Sequence, residues 1–345
     1  MDSLAFYLLL LVSLTAVANP TVASATTIGV TYSTPRSISG SELLFSPERI
    51  AEKVVSMKIP AVRLLDSDPA MLRAFADTNV SLFISVPNPL VPLLASNRSL
   101  ATAWVNRHVA PFYPRTNISI ISVGNDVTSD SPDVSPFLLP AMENVHGSLR
   151  DLGIHKIPVS TTLYFFNILP AIFFPSAARF QQPKGEDTIR PILQFLERTN
   201  SSFLLNLHPY NVYESSFIVP FGHVIFDESP LCFIDDYPAR LRYRNSFDMM
   251  VDAVITSMAA MGHKDLPLIV AETGWPSSGV ETFSEEDLTL VYSEMFLRGL
   301  LAHLRSGSGT PLRKEGLLAV YVFELVEEEA KGMRNSGLLH HKVQL

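Results

Sequence analysis

Eight apolar segments of strand length alternate with amphipathic, helix-like stretches along this 345-residue chain. Continuous apolar runs bounded by turn residues are typical of strands that are buried on both faces. The stretches between them carry apolar residues at helical spacing, as in 188–198, where the buried face would be Ile189, Ile192, Leu193 and Leu196. Each pair has the length of one strand–helix repeat, and eight repeats predict a closed (β/α)8 TIM barrel.

The predicted strands cover Thr27–Tyr32, Ala61–Leu65, Ser81–Val86, Ile118–Val123, Ile157–Thr161, Phe203–Leu207, Leu268–Ala271 and Leu317–Phe323. The predicted helices include Pro47–Met57, Ser99–Ala110, Pro136–Leu152, Thr188–Arg198, Ser246–Met261 and Ser284–Leu304. The stretch from His208 to Asn245 is too long for a simple loop and predicts a small excursion on the barrel. Only about twenty residues follow the last strand, so we expect the eighth helix to be short or missing.

The first 25 residues have the pattern of a signal peptide. An apolar stretch is centred on Leu8 to Val12, and Ala23-Ser24-Ala25 is a small-residue cleavage site. The apolar stretch is too short and interrupted to anchor the chain in a membrane. We therefore expect residues 1–25 to be removed and residues 26–345 to form one secreted, monomeric barrel domain. In a secreted chain, glycosylation sequons can carry glycans, and this sequence has four, which begin at Asn79, Asn97, Asn117 and Asn200.

Charge and cysteine content restrict the possible partners. The formal net charge is −8, which argues against nucleic acid or an anionic membrane surface as a partner. Cys232 is the single cysteine, so the chain has no internal disulfide framework, and a small buried apolar role is expected for it. The residues show no metal-ligand spacing, and we expect neither a metal nor a cofactor.

Two carboxylates follow predicted strands at the end where barrel enzymes carry their active sites. In the segment LPLIVAETGWPSSGV, from Leu266 to Val280, the apolar run breaks at Glu272, and Asp126 follows the fourth strand. Strands four and seven lie on opposite sides of a barrel mouth, so both side chains can converge on one bond. Glycoside hydrolysis needs one carboxyl group to protonate the leaving oxygen and another to attack or to activate water.

The sequons give a second prediction about placement. Asn79, Asn117 and Asn200 precede strands three, four and six. They should therefore lie on the bottom rim of the barrel, where glycans leave the opposite cleft clear.

Several motifs resemble those of the plant glucan endo-1,3-β-glucosidases of glycoside hydrolase family 17. The most specific is VAETGWPSSG, because the nucleophile of that family lies in such an E-[ST]-G-W-P context. The other matching segments are IGVTY (28–32), VRLLD (62–66), ISVGNDV (121–127), LLPAMENVH (138–146) and FDMMVDAV (247–254).

The resemblance implies a (β/α)8 barrel with an open cleft and a retaining attack on β-1,3-linked glucan in the extracellular space or the cell wall. It implies that Glu272 is the nucleophile and that Asp126 is the acid/base. It also implies that Asn125 binds the 2-hydroxyl group of the sugar. Beyond these, the resemblance implies that Tyr32, Tyr210 and Trp275 line the cleft and that Glu328 and Lys331 are a supporting acid and lysine. Alternatively, Trp275 is core packing, and Glu328 belongs to a solvated acidic run.

The chain departs from the family pattern at three places. Asp126 stands where the family has Glu, and His208 stands where it usually has Tyr. We expect His208 to be either a hydrogen-bonding residue or a proton carrier. The segment after Lys331 is shortened. Two functions therefore stay open: a secreted endo-1,3-β-glucanase, with activity weakened at Asp126, and a non-catalytic glucan-binding protein on the same barrel. Mixed-linkage β-1,3-1,4-glucan is a rival substrate.

Overall fold

A closed ring of eight parallel strands forms the centre of the molecule. The computed structural model describes residues 26–33, 46–169, 174–215, 219–275 and 290–323. Its strands are β1 (Thr27–Tyr32), β2 (Ala61–Leu64), β3 (Ser81–Val86), β4 (Ile118–Asn125), β5 (Val159–Tyr164), β6 (Phe203–Asn206), β7 (Ile234–Asp236), β8 (Leu241–Tyr243), β9 (Leu268–Thr273) and β10 (Ala319–Val322). All except β7 and β8 close into a barrel in chain order, which confirms the predicted (β/α)8 class.

Helices surround this barrel. In the described part of the chain the α-helices are α1 (Pro47–Ser56), α2 (Pro69–Ala74), α3 (Val91–Ser96), α4 (Arg98–His108), α5 (Val127–Asp130), α6 (Leu138–Asp151), α7 (Phe165–Ile168), α8 (Arg190–Arg198), α9 (Pro209–Ser215), α10 (Phe221–Val224), α11 (Ser246–Ala260) and α12 (Leu290–Ser306). Shorter 3-10 turns cover Asn88–Leu90, Pro132–Phe137 and Pro175–Ala177, and a π-helical turn, Gly185–Ile189, leads into α8. Among the described residues, no helix combines the length and the apolar character needed to cross a bilayer.

The predicted strand positions are close to those observed, and the largest differences occur where function was predicted. β4 extends past its predicted end at Val123 to Asn125, because Asn125 still pairs with Thr162 of β5 after a register shift. β5 lies at Val159–Tyr164, further along the chain than its predicted range. Polar residues at these strand ends hid the continued backbone pairing from a prediction based on apolar runs.

The expected excursion after β6 contains the helices α9 and α10 and the antiparallel hairpin β7–β8. The predictions for the leader and the eighth helix lie outside the described residues, which omit 1–25 and 324–345. They stay predictions.

An apolar plug fills the inside of the barrel. The rings of Phe83 and Tyr321 meet edge to face with their centroids 5.5 Å apart. Burial raises the pKa of Tyr321 to about 12. Gly29 gives this ring its space, because a Cβ atom at that position would lie 2.6 Å from the ring. The same inner cluster contains Ala61, Ile120, Leu204, Ile269, Ala271 and Ala319.

The exposed sequon residues lie at the end of the barrel where the strands begin. Asn117 immediately precedes β4, and Asn79 and Asn200 lie a few residues before β3 and β6. Because the barrel strands are parallel, all three lie opposite the strand ends that carry Asp126 and Glu272. This is the predicted placement, and whether glycans occupy it stays a prediction.

A buried histidine joins the excursion to the main barrel. His223 of α10 is fully enclosed; its Nε2–H donates to the carbonyl oxygen of Tyr243 at 3.1 Å, and its Nδ1 accepts from the hydroxyl group of Ser246 at 2.9 Å. Burial lowers the pKa of His223 to about 4. The ring is therefore neutral in the folded protein at neutral pH.

We predict that this histidine makes the fold sensitive to acid. Between pH 6.5 and 4 the unfolded chain binds a proton at His223 that the folded chain excludes, so the free energy of unfolding falls as the pH falls. The full effect is about 3 kcal/mol. Denaturant unfolding at a series of pH values should show a weaker dependence on pH in His223→Gln. The matched control is His155→Gln at an exposed position, and equal pH slopes in both variants would contradict the prediction.

Candidate active site

Two carboxylates reach the same end of the barrel from different strands. Glu272 is the next-to-last residue of β9, and Asp126 directly follows β4. The side chain of Glu272 is 11% exposed, and Asp126 is half-buried. Both predicted carboxylates therefore lie at the mouth and not within the apolar plug.

The end of β4 and the turn that follows it contain two left-handed backbone positions. Gly124 has φ +76° and Asp126 has φ +49°. A Cβ atom at Gly124 would lie 2.5 Å from the side chain of Val127, so the turn requires glycine there. Aspartate is among the few side chains that adopt the left-handed region readily. The two positions flank Asn125 and turn the sequence Gly-Asn-Asp across the mouth.

Asn88 holds this turn in place from the end of β3. Its side-chain Nδ2 donates to the carbonyl oxygen of Asn125 at 2.8 Å, and its Oδ1 accepts the backbone N–H of Asn125 at 2.8 Å. Next along the chain, the backbone N–H of Asp126 donates to the carbonyl oxygen of Thr162 at 3.0 Å. The backbone under the predicted acid is thus fixed on both sides.

An arginine within the barrel supports both strand ends. Arg63 of β2 is fully buried, and its Nη1 donates to a carboxylate oxygen of Glu272 and to the carbonyl oxygen of Ala271, the latter at 3.2 Å. Its Nη2 donates to Oδ1 of Asn125 at 2.7 Å. A buried charge needs a counter-charge and satisfied donors, and Glu272 provides the counter-charge.

Asn206, the last residue of β6, completes the network. Its Nδ2 donates to Oδ1 of Asn125 at 3.0 Å and to Oδ2 of Asp126 at 2.8 Å. Asn206 also stands opposite Glu272 in the pairing of β6 with β9. A continuous hydrogen-bonded chain therefore runs from Glu272 through Arg63, Asn125 and Asn206 to Asp126.

Sequence analysis did not select Arg63 or Asn206 as site residues. The sequence nevertheless contained a signal for each of them. Charged and amide side chains are unusual in strands buried on two faces, and Arg63 lies in the apolar segment AVRL while Asn206 ends FLLN. Arg63 also lies over the ring of Phe83, at 5.0 Å from its centroid, and so rests on the apolar plug.

The three aromatic residues that were expected to line the cleft are almost fully enclosed. Tyr32, Tyr210 and Trp275 are 4%, 1% and 1% exposed. The rings of Tyr210 and Trp275 meet at 4.8 Å, and Phe221 and Phe296 each lie 5.7 Å from Trp275. Among the described residues Trp275 is thus packed against other rings, and the cleft-lining roles of all three stay predictions.

The remaining predicted residues fall into three groups. His208 follows β6 and is partly exposed, with its ring 6.4 Å from that of Tyr164. Glu328 and Lys331 lie outside the described residues, so their supporting roles stay predictions. Cys232 is buried, as expected for a small apolar residue.

Comparison with protein families identifies the barrel. The family model described as "Glycosyl hydrolases family 17" matches residues 39–342. The chain belongs to glycosyl hydrolase family 17. Two similar family members come from Arabidopsis thaliana. Glucan endo-1,3-beta-glucosidase 1 is 36% identical over 291 residues, which are 84% of this chain and 56% of that protein. Glucan endo-1,3-beta-glucosidase 11 is 34% identical over 339 residues, which are 96% of this chain and 76% of that protein.

Solved structures agree with this family assignment. "CJP38, a beta-1,3-glucanase and allergen of Cryptomeria japonica pollen" is 31% identical, with a TM-score of 0.81 over 90% of this chain and 95% of that one. A plant beta-glucan endohydrolase, one of two with distinct substrate specificities, is 28% identical, with a TM-score of 0.76 and the same coverage. The chain spans little more than half the length of the first of the Arabidopsis relatives.

We predict that the charge of Arg63 is needed only while Glu272 is charged. Arg63→Met should lower the free energy of unfolding by about 3–5 kcal/mol, because it leaves a carboxylate buried without its partner. Adding Glu272→Gln to Arg63→Met should recover part of that loss.

The measurement is a double-mutant cycle from denaturant unfolding, with the exposed pair of Arg115 and Asp77 as control. Arg115→Met should change stability little, since exposed ion pairs contribute little. Additive effects of Arg63→Met and Glu272→Gln would show that the ion pair is not the source of the loss.

Proposed function

We propose that this family 17 barrel is a retaining endo-1,3-β-glucanase that uses Glu272 as nucleophile and Asp126 as acid/base. The observation that carries the proposal is the hydrogen-bonded chain that joins these carboxylates at the barrel mouth. The names of the Arabidopsis relatives and of the Cryptomeria japonica pollen protein support β-1,3-glucan as the substrate class.

The proposed reaction has two steps. In the first, a carboxylate oxygen of Glu272 attacks the anomeric carbon, the bond to the glycosidic oxygen breaks, and Asp126 gives its proton to that oxygen. In the second, the Asp126 carboxylate takes a proton from water, the resulting hydroxide attacks the same carbon, and Glu272 leaves as a carboxylate. The product keeps the β configuration.

The surrounding residues have matching tasks in this scheme. Arg63 fixes one oxygen of Glu272 and balances its charge before attack. Asn125 uses its Oδ1 as an acceptor for Arg63 and Asn206, which leaves its Nδ2 as the end that can donate to the 2-hydroxyl group of the sugar. Such a bond would strengthen in the transition state.

Asp126 makes a weaker acid/base than the glutamate at that position in the family. Asp is one methylene shorter, so on an unchanged backbone its carboxyl group lies about 1.5 Å further from the glycosidic oxygen. A displacement of about 1 Å can reduce a rate by about 100-fold. The tie to Asn206 also directs the carboxylate toward β6.

The short side chain of Asp126 and its hydrogen bond to Asn206 also favour a second candidate function, a non-catalytic glucan-binding protein. In that case the cleft would bind β-1,3-glucan while Asp126 served only as a structural or sugar-binding carboxylate. Measured hydrolysis distinguishes the two functions, because both predict binding.

We predict that Glu272→Gln abolishes hydrolysis of laminarin-type glucan and retains binding. The amide keeps the size of the side chain but cannot attack the anomeric carbon. Release of reducing ends should fall to background, while the affinity for laminarin oligosaccharides in calorimetric titration stays within about threefold. Equal activity of wild type and variant would refute the enzyme proposal.

We also predict that Asp126→Glu raises activity on glucan by about 10-fold to 100-fold, because it returns the proton to the glycosidic oxygen. A dinitrophenyl β-glycoside, whose leaving group needs no proton, should show a much smaller gain in kcat/KM. A lower activity in the variant would mean that the backbone already compensates for the short side chain. An inactive variant would favour the binding protein.

The location of the protein belongs to the same proposal. The leader pattern at 1–25 and the exposed sequon residues at the bottom rim support a secreted glycoprotein in the extracellular space or cell wall.

A further inference from the structure

The hydrogen bonds around Asn206 have one possible direction. Arg63 has donors and no acceptor, so the atom of Asn125 that faces its Nη2 must be Oδ1. Since that oxygen can only accept, the atom of Asn206 that faces it must be Nδ2. The same Nδ2 then faces Oδ2 of Asp126 at 2.8 Å.

The burial of Asn206 fixes this direction of the hydrogen bonds. Its side chain is fully buried, and its Oδ1 has no hydrogen-bond partner among the described residues. Rotating the amide would place this oxygen against two other oxygens, those of Asn125 and Asp126. The buried charge of Arg63 therefore decides, through two amides, that Asp126 receives a donor.

The side chain of Asp126 does not serve the helix that follows it. Asp126 stands at the N-cap position of α5, but its backbone is left-handed (φ +49°) and not the extended backbone from which an aspartate normally caps a helix. It makes no such capping bond. Its carboxylate turns toward Asn206 on β6, two strands away in the barrel.

We propose that Asn206 is the positioning residue of the acid/base, and that it sets both the orientation and the proton affinity of Asp126. The proposal rests on the proposed glucanase function for its catalytic meaning, and on the geometry alone for its effect on Asp126. A donor to a carboxylate stabilises the charged form, so Asn206 favours the base that the second step uses over the acid that the first step uses.

The decisive experiment measures the pKa of Asp126 directly, without activity. Carbon-13 NMR of protein labelled at the aspartate carboxyl carbons follows each carboxylate through a pH titration, and Asp126→Asn identifies the signal of Asp126. In Asn206→Leu, which keeps the branching and the number of side-chain heavy atoms and removes the donor, the pKa of Asp126 should rise by about 1. In Asn206→Asp, which replaces the donor by a second carboxylate, it should rise further.

Asn144 provides a matched control away from the site. It lies on α6, is half-buried, and donates through Nδ2 to the carbonyl oxygens of Leu94 and Ala95 at 2.9 and 3.1 Å. Asn144→Leu should leave the pKa of Asp126 unchanged. A pKa of Asp126 that is the same in wild type and in Asn206→Leu would overturn the proposal.

Kinetics supply the second measurement. In Asn206→Leu, kcat/KM on laminarin-type glucan should fall at least about 10-fold, and on the dinitrophenyl β-glycoside it should stay within about twofold. The alkaline limb of the glucan pH profile should move to higher pH. An equal loss on both substrates with an unmoved limb would show a merely structural role and overturn the proposal.

These two measurements separate the two hypotheses. If wild-type protein hydrolyses neither substrate, the glucanase function fails, and the NMR titration still decides whether Asn206 controls Asp126. If Asn206→Leu does not fold, Asn206→Ala, which also removes the donor and adds no charge, decides the same question. A rise in the pKa of Asp126 in either variant supports the proposal.

Discussion

The buried ion pair between Arg63 and Glu272 is the interaction on which the mouth of the barrel depends. A fully buried guanidinium is unfavourable unless its charge is balanced and its donors are satisfied. Glu272 balances the charge, Ala271 and Asn125 accept hydrogen bonds from the two Nη atoms, and the face of Phe83 lies beneath. Only Nε of this guanidinium has no partner among the described residues. Arg63 thus connects the polar groups of the site to the apolar plug.

The turn at Gly124-Asn125-Asp126 shows how the backbone and the site chemistry are matched. A register shift between β4 and β5 brings Asn125 opposite Thr162, and left-handed backbone on either side turns both polar side chains inward. Asp is better suited than Glu to that backbone conformation. The departure from the family pattern at Asp126 is therefore compatible with the local fold, whatever it does to the chemistry.

Sequence patterns predicted the barrel because each strand can be recognised from the apolar run in its own segment. The apolar runs located all eight barrel strands, and the rule about strand ends located Asp126 and Glu272 at one face. The links between them could not be predicted in this way. Asn206 meets Asp126 across two strands, and Arg63 meets Glu272 from a distant part of the chain. Side-chain contacts of this kind depend on how the strands are staggered around the closed sheet, and a local sequence pattern contains no information about that stagger.

The position of Trp275 was ambiguous for a related reason. Its place just after a strand end suggested the cleft, but the rings that enclose it come from distant segments that contain Tyr210, Phe221 and Phe296. Position in the sequence therefore does not decide between a cleft role and a packing role for Trp275.

The apolar plug under Arg63 has a consequence for the polymer binding that we propose. Phe83 and Tyr321 pack in the barrel interior, and Gly29 leaves room for the ring of Tyr321. In the proposed function a polysaccharide would therefore reach Glu272 across the rim and not along the barrel axis. Lying there, it would keep both of its ends in the surroundings, and an internal stretch of it could reach Glu272.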